Sequence, residues 1–507
     1  MKTQIAKSLG LVLVMAIGVL MAMLALGTFS DAKPEAVHAG TQAQGATGVP
    51  ATMTAPATGV SVSNDGTIFV ISDDTDSDEA DTVRDDIYIS TNGGASFSVV
   101  SSEDADGDAT HDEGGEDDQP WNGTAITEIV PSPNYGADSN VFLIAGAVVY
   151  RSVTRGVADA GWEQIASDTA SSTADAAITD LSVAPNFNAT GEIAVSVVAD
   201  GAGDTPVVKV TCDSSGFDAV TLDDGACDDL DGGATPDIAD ATGAIDIGDG
   251  VLAVEFSPNY ESDGTIMVVA IDENNDDLCN TTFDTCENRS VNAADFADGN
   301  EVSIAAAVQG TAVIAFPSDF NANSNNNYWV GTTRDTAGSV FRRSSGAWAD
   351  EAPCGTANAC PTTDLVSNGT FASGTVFAGM KTASSSETQL FRSTDGGKTW
   401  NSSAILLGGT GGNMALALSP DYATDSTVYA ATAGTAGAFY ASSTGGGSAG
   451  AFTAKGMFAD TYATIKGIDG DPADGSPMFA VYAGSATGDD AVFRTTSATS
   501  TSAKWTR

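Results

Sequence analysis

The chain has 507 residues, of which 68 are Asp or Glu and only 19 Lys or Arg, for a formal net charge of -49. Nothing here could neutralise a run of phosphates, so nucleic acid and an anionic membrane surface are excluded as electrostatic partners. With two histidines in the whole chain, His38 and His111, no imidazole metal centre can be assembled, and a Ser-His-Asp triad would have to rest on His111 alone.

In chain order, residues 1–39 read as an export segment. Lys2 and Lys7 precede an apolar run from Leu9 to Leu26, and Val37-His38-Ala39 resembles a signal-peptidase site. The run is long enough that an uncleaved N-terminal anchor is the alternative. Residues 40–58 are Gly, Ala, Thr, Pro and Gln without periodicity, as in a flexible linker.

From residue 59 to 507 the text is that of strands and turns: short runs of apolar and small residues bounded by Gly, Asn, Asp and Pro. A first unit runs from Thr58-Gly59-Val60 to Val100. Its two insertions, Asp73–Asp86 and Glu103–Asp118, are strongly acidic. Within them Asp74, Asp76 and Asp78, and again Asp104, Asp106 and Asp108, set carboxylates at alternate positions. Loops of that kind can fold around one calcium ion through hard oxygen ligands, or can simply be solvated acidic loops. Neither has the Gly and bidentate Glu of an EF-hand loop. His111 lies in the second insertion, where a surface role is the plain reading.

Six later units share an order: an apolar strand, S-P-N-Y or a variant, a Gly or acidic turn, then a second apolar strand. Their turn aromatics are Tyr135, Phe187, Tyr260, Phe320, Phe371 and Tyr422, spaced 52, 73, 60, 51 and 51 residues apart. A last unit runs from Ile465 to Trp505 and has no turn aromatic. Repeats of this length holding several short strands are the signature of propeller blades. The expected fold is an all-β, closed β-propeller of four-stranded blades, eight by this count, or seven if the terminal units share one blade.

The sixth repeat closes on Ser393-Thr-Asp395-Gly-Gly397-Lys-Thr-Trp400, and a weaker copy is Ser90–Phe97, with Asn92 and Phe97 in place of Asp and Trp. The motif S-x-D-x-G-x-x-W resembles that of the Asp-box (BNR) propeller family, which includes sialidases, sortilin-type receptor domains and photosystem II assembly factors. With the S-P-N-Y turns it is also similar to exported prokaryotic surface-layer-type propellers. The resemblance covers about residues 55–507. It implies a structural role for Ser393, Asp395, Gly397 and Trp400 on hairpins away from the ligand face. It is nearly silent on activity.

A sialidase would need an arginine cluster, and Arg151, Arg342, Arg392 and Arg494 instead occupy one recurring place before the box or its remnant. They are expected to be spread around the ring. Arg84, Arg155, Arg289 and Arg334 remain the ones that could converge. The six cysteines form three near neighbours, Cys212 with Cys227, Cys279 with Cys286 and Cys354 with Cys360, read as disulfides by proximity in an exported chain. Six N-x-[ST] sequons occur, at Asn122, Asn188, Asn280, Asn288, Asn368 and Asn401.

The function expected is a non-catalytic, exported structural or adhesive propeller of the cell surface with calcium-binding acidic loops. Its partners would be proteins or further copies of itself, with membrane contact only through an uncleaved N-terminus. The alternatives are a sortilin-like or assembly-factor-like peptide- or protein-binding platform and a glycoside hydrolase of sialidase-like fold.

Overall fold

The computed structural model describes residues 57–72, 87–93, 96–100, 126–146, 148–156, 162–167, 178–197, 207–212, 227–229, 250–272, 284–290, 302–305, 312–332, 339–345, 347–354, 361–381, 387–401, 405–435, 437–457, 464–470, 478–483, 491–495 and 497–499. All lie in one compact unit, Ala36–Arg507. The export segment, the expected linker up to residue 56, both acidic insertions with their six aspartates, His111, Cys279 and Cys360 fall outside these residues, and residues 57 and 58 of that linker belong instead to the first strand.

The described chain is all-β, in sheets of consecutive antiparallel strands. The first set is β1 (Ala57–Val62), β2 (Ile68–Ser72), β3 (Ile87–Ser90) and β4 (Ser98–Val100). The second is β5 (Ile126–Pro131), β6 (Val141–Ala145), β7 (Val148–Ser152) and β8 (Trp162–Ser167). The third is β9 (Ile178–Val183), β10 (Glu192–Val197), β11 (Val207–Cys212) and β12 (Cys227–Asp229). The fourth comprises β13 (Gly250–Phe256), β14 (Ile266–Asp272), β15 (Asp284–Ser290) and β16 (Val302–Ala305). The fifth is β17 (Ala312–Ala315), β18 (Trp329–Thr332), β19 (Ser339–Ser344) and β20 (Ala347–Asp350).

Beyond these, β21 (Thr362–Asn368), β22 (Thr375–Lys381) and β23 (Glu387–Ser393) pair with the start of β24 (Ile405–Leu418). The end of β24 pairs with β25 (Val428–Thr435), followed by β26 (Ala438–Ser442) and β27 (Thr453–Met457). Because β24 belongs to both the sixth and the seventh set, the two form one seven-stranded sheet. Its middle is Gly408-Gly409-Thr410-Gly411-Gly412, and the ladder shifts register between Gly411 and Met414. Glycines let one strand turn from one set into the next. The last set is β28 (Thr464–Gly470), β29 (Met478–Ala483) and β30 (Ala491–Thr495). The described strands therefore form seven sheets, five of four strands, one of seven and one of three.

The sets stack face to face, and the alternation of side chains along each second strand shows how. On β6, Phe142 and Ile144 pack with Leu181, Phe187 and Ile193 of the third set. Val141, Leu143 and Ala145 point the other way, onto Phe69, Ile71, Ile87 and Ile89 of the first. A strand covered on both faces has no polar side to show water, which is why V-F-L-I-A is apolar throughout. On β25, Val428 and Ala430 meet the sixth set while Tyr429 and Ala431 meet the eighth. The other face of the first set, Ile68, Val70 and Tyr88, packs with Phe479 of the last. The first strands β1, β5, β9, β13, β17, β21, β24 and β28 each touch the next, and β28 also touches β1. The arrangement is propeller-like.

Four turns contain a single helical turn: α1 (Tyr135–Asp138), α2 (Phe187–Thr190), α3 (Tyr260–Asp263) and α4 (Tyr422–Asp425). Four residues are too short to leave an amphipathic period, so the pattern cannot betray them. Each ends on a residue in the left-handed conformation, Ser139, Gly191, Gly264 or Ser426.

Candidate functional site

Two recurring devices organise the turns that sequence analysis singles out. The first is the S-P-x-aromatic turn. Ser257 Oγ donates to Asp263 Oδ2 at 2.7 Å and accepts the Asn259 N–H at 3.1 Å, while Asp263 Oδ1 accepts the Thr265 N–H at 3.2 Å. Ser132 with Asp138 (2.6 Å) and Ser419 with Asp425 (2.7 Å) repeat it. The aromatic ring goes inward; Tyr135 and Phe187 are fully buried. The residue before the ring reaches the following set. Asn134 Nδ2 donates to Asn188 Oδ1 (3.3 Å), Asn259 Nδ2 donates to the Phe320 carbonyl, and Asp319 Oδ1 accepts the Phe371 N–H (2.8 Å).

The second device is the Asp-box. Ser393 Oγ donates to Asp395 Oδ1 at 2.8 Å and accepts the Gly397 N–H at 2.8 Å; the Asp395 carboxylate accepts Thr399 N–H (2.9 Å) and Oγ1 (2.7 Å). Burial alone would raise this carboxyl, but the bonds from Thr399, Ser393 and the Lys398 N–H outweigh it and hold it below the ordinary aspartate value. Gly396 has φ +71°, and a Cβ there would lie 1.8 Å from the Phe371 carbonyl oxygen. Trp400 is half-buried beside the cluster of Trp329, Phe371 and Phe391.

The weak copy closes in the same way: Ser90 Oγ donates to Asn92 Oδ1 (2.9 Å), which accepts the Ser96 N–H (2.9 Å). Two further copies have threonine at the acidic place. Ser152 Oγ accepts the Thr154 and Gly156 N–H groups, and Ser442 Oγ those of Thr444 and Gly446. The Ser442 copy escapes a search for Asp, because here the serine oxygen organises the turn and Thr444 leaves no acidic signature.

The recurring arginines face the following set. Arg342 Nε donates to the Gly396 carbonyl (2.7 Å), and its guanidinium lies 3.9 Å from the centre of the Phe371 ring. Arg392 lies against Gly445 and Gly447 of the Ser442 turn, and Arg494 against Gly93 of the Ser90 turn. Arg151 Nε donates to Asn140 Oδ1 (2.7 Å) and its guanidinium lies 5.8 Å from the Phe187 ring centre. Desolvation lowers the Arg342 and Arg494 pKa values. Arg155 pairs with Asp65 of the first set at 3.0 Å. Arg84 and Arg334 lie outside the described residues.

Sequence reasoning misses a third device: acids on first strands. Glu128, Asp180 and Asp364 each stand seven residues before the turn aromatic, within Thr127-Glu-Ile129, Thr179-Asp-Leu181 and Thr363-Asp-Leu365. Asp180 Oδ1 accepts its neighbour's N–H from Leu181 (3.0 Å), and Oδ2 accepts that of Val254 on β13 (2.9 Å). Asp364 does likewise with Leu365 (2.7 Å) and Leu416 on β24 (2.6 Å). Glu255 of β13 is buried and accepts a hydrogen bond from Ser182 Oγ (3.4 Å).

Desolvation pushes Asp180 up to about 7 against the two N–H groups that lower it. Glu255 is raised by burial and then by the Asp180 charge, and Glu128 by burial and then by Asp180 and Glu255. Glu128 keeps part of its surface accessible, but the protein around it removes enough water for burial to dominate. Among the described residues no group of three His, Cys, Asp or Glu is arranged to hold a metal ion.

Of the cysteines, Cys212 and Cys227 stand directly opposite each other in the β11–β12 register. Cys286 lies on β15, and Cys354 packs against the Trp329 and Phe371 cluster.

No family model matches the chain, and no curated protein matches it. Solved structures do. The BP39L lectin from Burkholderia pseudomallei is 14% identical over 75% of this chain and 96% of its own, with a TM-score of 0.44. Saccharomyces cerevisiae Sqt1 is 11% identical over 90% and 98%, at 0.48. The GH74 xyloglucanase from Xanthomonas campestris is 13% identical over 88% and 77%, at 0.27. The fold rests on the strand pairing and packing of this chain, not on these likenesses.

Proposed function

We propose that the chain is a closed propeller of eight four-strand blades, two of them sharing β24, that serves as a non-catalytic structural or adhesive protein at the cell surface. One observation carries this reading: Arg151, Arg342, Arg392 and Arg494 each turn toward the following set. An anionic substrate would need such groups gathered in one place. Arg494 against Gly93 and Phe479 against Val70 bring the last set onto the first, which supports closure and removes sheet edges. Export, disulfides at Cys212–Cys227, Cys279–Cys286 and Cys354–Cys360, and calcium at Asp74, Asp76 and Asp78 and at Asp104, Asp106 and Asp108 complete the proposal. The acidic loops are then the contacts through which copies or partner proteins meet.

The buried acids bring forward a glycoside hydrolase as the second reading, since burial pushes the Asp180 carboxyl up to about 7. Both oxygens of Asp180 accept backbone N–H groups, however, which suits a fastening role better than attack on a sugar.

Light scattering of residues 40–507, titrated with calcium, then EDTA, with magnesium as control, tests the main reading. Reversible assembly specific to calcium is expected. A monomer indifferent to calcium overturns the self-assembling scaffold, and a single captured partner would then favour the receptor-like alternative.

A further inference from the structure

Asparagine followed by glycine is the pair most prone to lose ammonia spontaneously, because glycine has no Cβ to obstruct its amide nitrogen and its backbone turns freely. The chain has three such pairs, Asn92-Gly93, Asn122-Gly123 and Asn368-Gly369, and the first and last lie among the described residues. They differ in what holds the side chain. Asn92 Oδ1 accepts the Ser90 hydroxyl and the Ser96 N–H, both at 2.9 Å, and its Nδ2 donates to Ser96 Oγ at 2.7 Å. The Asn368 amide makes no hydrogen bond among the described residues. Nor does the N–H of Gly369, which follows the end of β21 and has φ +92°. Exposure works the other way, since Asn92 is exposed and Asn368 only half so. The hydrogen bonds therefore decide which side chain is free to react.

Around the free pair the chain is laced to the fifth set. Ser367 Oγ donates to the Phe316 carbonyl (2.9 Å), the Ser318 N–H to the Gly369 carbonyl (2.7 Å), and the Phe371 N–H to Asp319 Oδ1 (2.8 Å).

We propose that Asn368 is a site of spontaneous covalent modification, at which deamidation to aspartate or isoaspartate loosens the lacing between the fifth and sixth sets.

The Gly369 amide nitrogen gives up its proton to water or hydroxide and attacks Asn368 Cγ. A bond forms between that nitrogen and Cγ, the Cγ–Nδ2 bond breaks, and Nδ2 takes up a proton and leaves as ammonia. Water then opens the cyclic imide. Opening at Cγ gives aspartate; opening at the Asn368 main-chain carbonyl gives isoaspartate, whose main chain runs through Cγ and is longer by a methylene. Water enters, ammonia leaves, and nothing is oxidised or reduced. Either product places a new negative charge in a segment already fastened to Asp319, where like charges repel. Isoaspartate also displaces the Gly369 carbonyl from Ser318 relative to the Ser367 anchor.

The test uses the full chain, made in a host without N-glycosylation because Asn368 also heads a sequon. It is held at mildly alkaline pH, folded and in denaturant, and peptide mapping follows Asn92 and Asn368 over time. Relative to their rates in denaturant, Asn368 should convert about tenfold faster than Asn92 or more in the folded chain, since Asn92 must first release its hydrogen bonds. The Asn368 rate should rise with pH, as a step that removes a proton from nitrogen requires. Ion exchange then separates the product by its added charge, and hydrogen–deuterium exchange at Ser318 and Phe371 should be faster in it than in the parent. Folded-state conversion at Asn368 no faster than at Asn92 would overturn the site. Unchanged exchange at Ser318 and Phe371 in the product would overturn the loosening.

Discussion

The turns at Tyr260 and at Phe187 have the same backbone course but different chemistry. At Tyr260, Ser257 and the fully buried Asp263 clamp each other, and Asp263 Oδ2 also takes the Ala322 N–H from the fifth set at 3.0 Å. At Phe187 the serine place is Ala184 and the aspartate place Thr190, whose Oγ1 accepts the Glu192 N–H at 3.4 Å. Both members have changed. A buried carboxylate without its hydroxyl donor is costly, whereas alanine opposite threonine leaves no carboxylate to match, and the Thr190 hydroxyl finds partners within the turn. The clamp is therefore one unit in two residues, kept or lost whole, and what both turns retain is the buried ring.

The hardest way to break the contrast is Asp263→Ala. It strips partners from Ser257, Thr265 and Ala322 at once and should cost about 4 kcal/mol by denaturant unfolding. Less severe is Ser257→Ala, which keeps the carboxylate but takes its hydroxyl donor, at about 2 kcal/mol. Adding Asp263→Thr to it copies the Phe187 turn. That double variant should be more stable than Asp263→Ala and less impaired than Ser257→Ala and Asp263→Thr summed, and strict additivity in that cycle would show that the clamp is not a unit. The smallest effect is expected at Asp395→Asn, about 1 kcal/mol or less, because Asn92 already closes the same turn in the first set. Since the Asp395 carboxyl is held below its ordinary value, its contribution is full above the unfolded aspartate pKa and is lost as pH falls through the folded one. The difference between parent and variant should therefore shrink in acid.

Much of this architecture can be read from residue order. The repeat spacing marks the strand sets, and Ser393–Trp400 marks its hairpin because each residue type there has a local partner within six positions. What escapes is whatever depends on a neighbour in the next set. Nothing near Arg342 in the chain announces Gly396, and nothing near Asp180 announces Val254. The shared strand β24 hides because its glycine-rich middle, Gly408–Gly412, where the ladders shift register, looks in sequence like a loop between repeats. The acids of the first strands did leave a signal, Thr-Glu or Thr-Asp seven residues before the ring, legible only once the rings are aligned. The candidate calcium aspartates lie in insertions that the repeat does not define.

The central claim is that polar residues of the repeat fasten each set to the following one, the last to the first included. Hydrogen–deuterium exchange of Arg494→Gln against the parent tests it most directly, since Arg494 lies against Gly93 at that junction. Faster exchange in β2 and β3 as well as in β29 and β30 is the predicted result. Faster exchange confined to β29 and β30, with the first set unaffected, would contradict it.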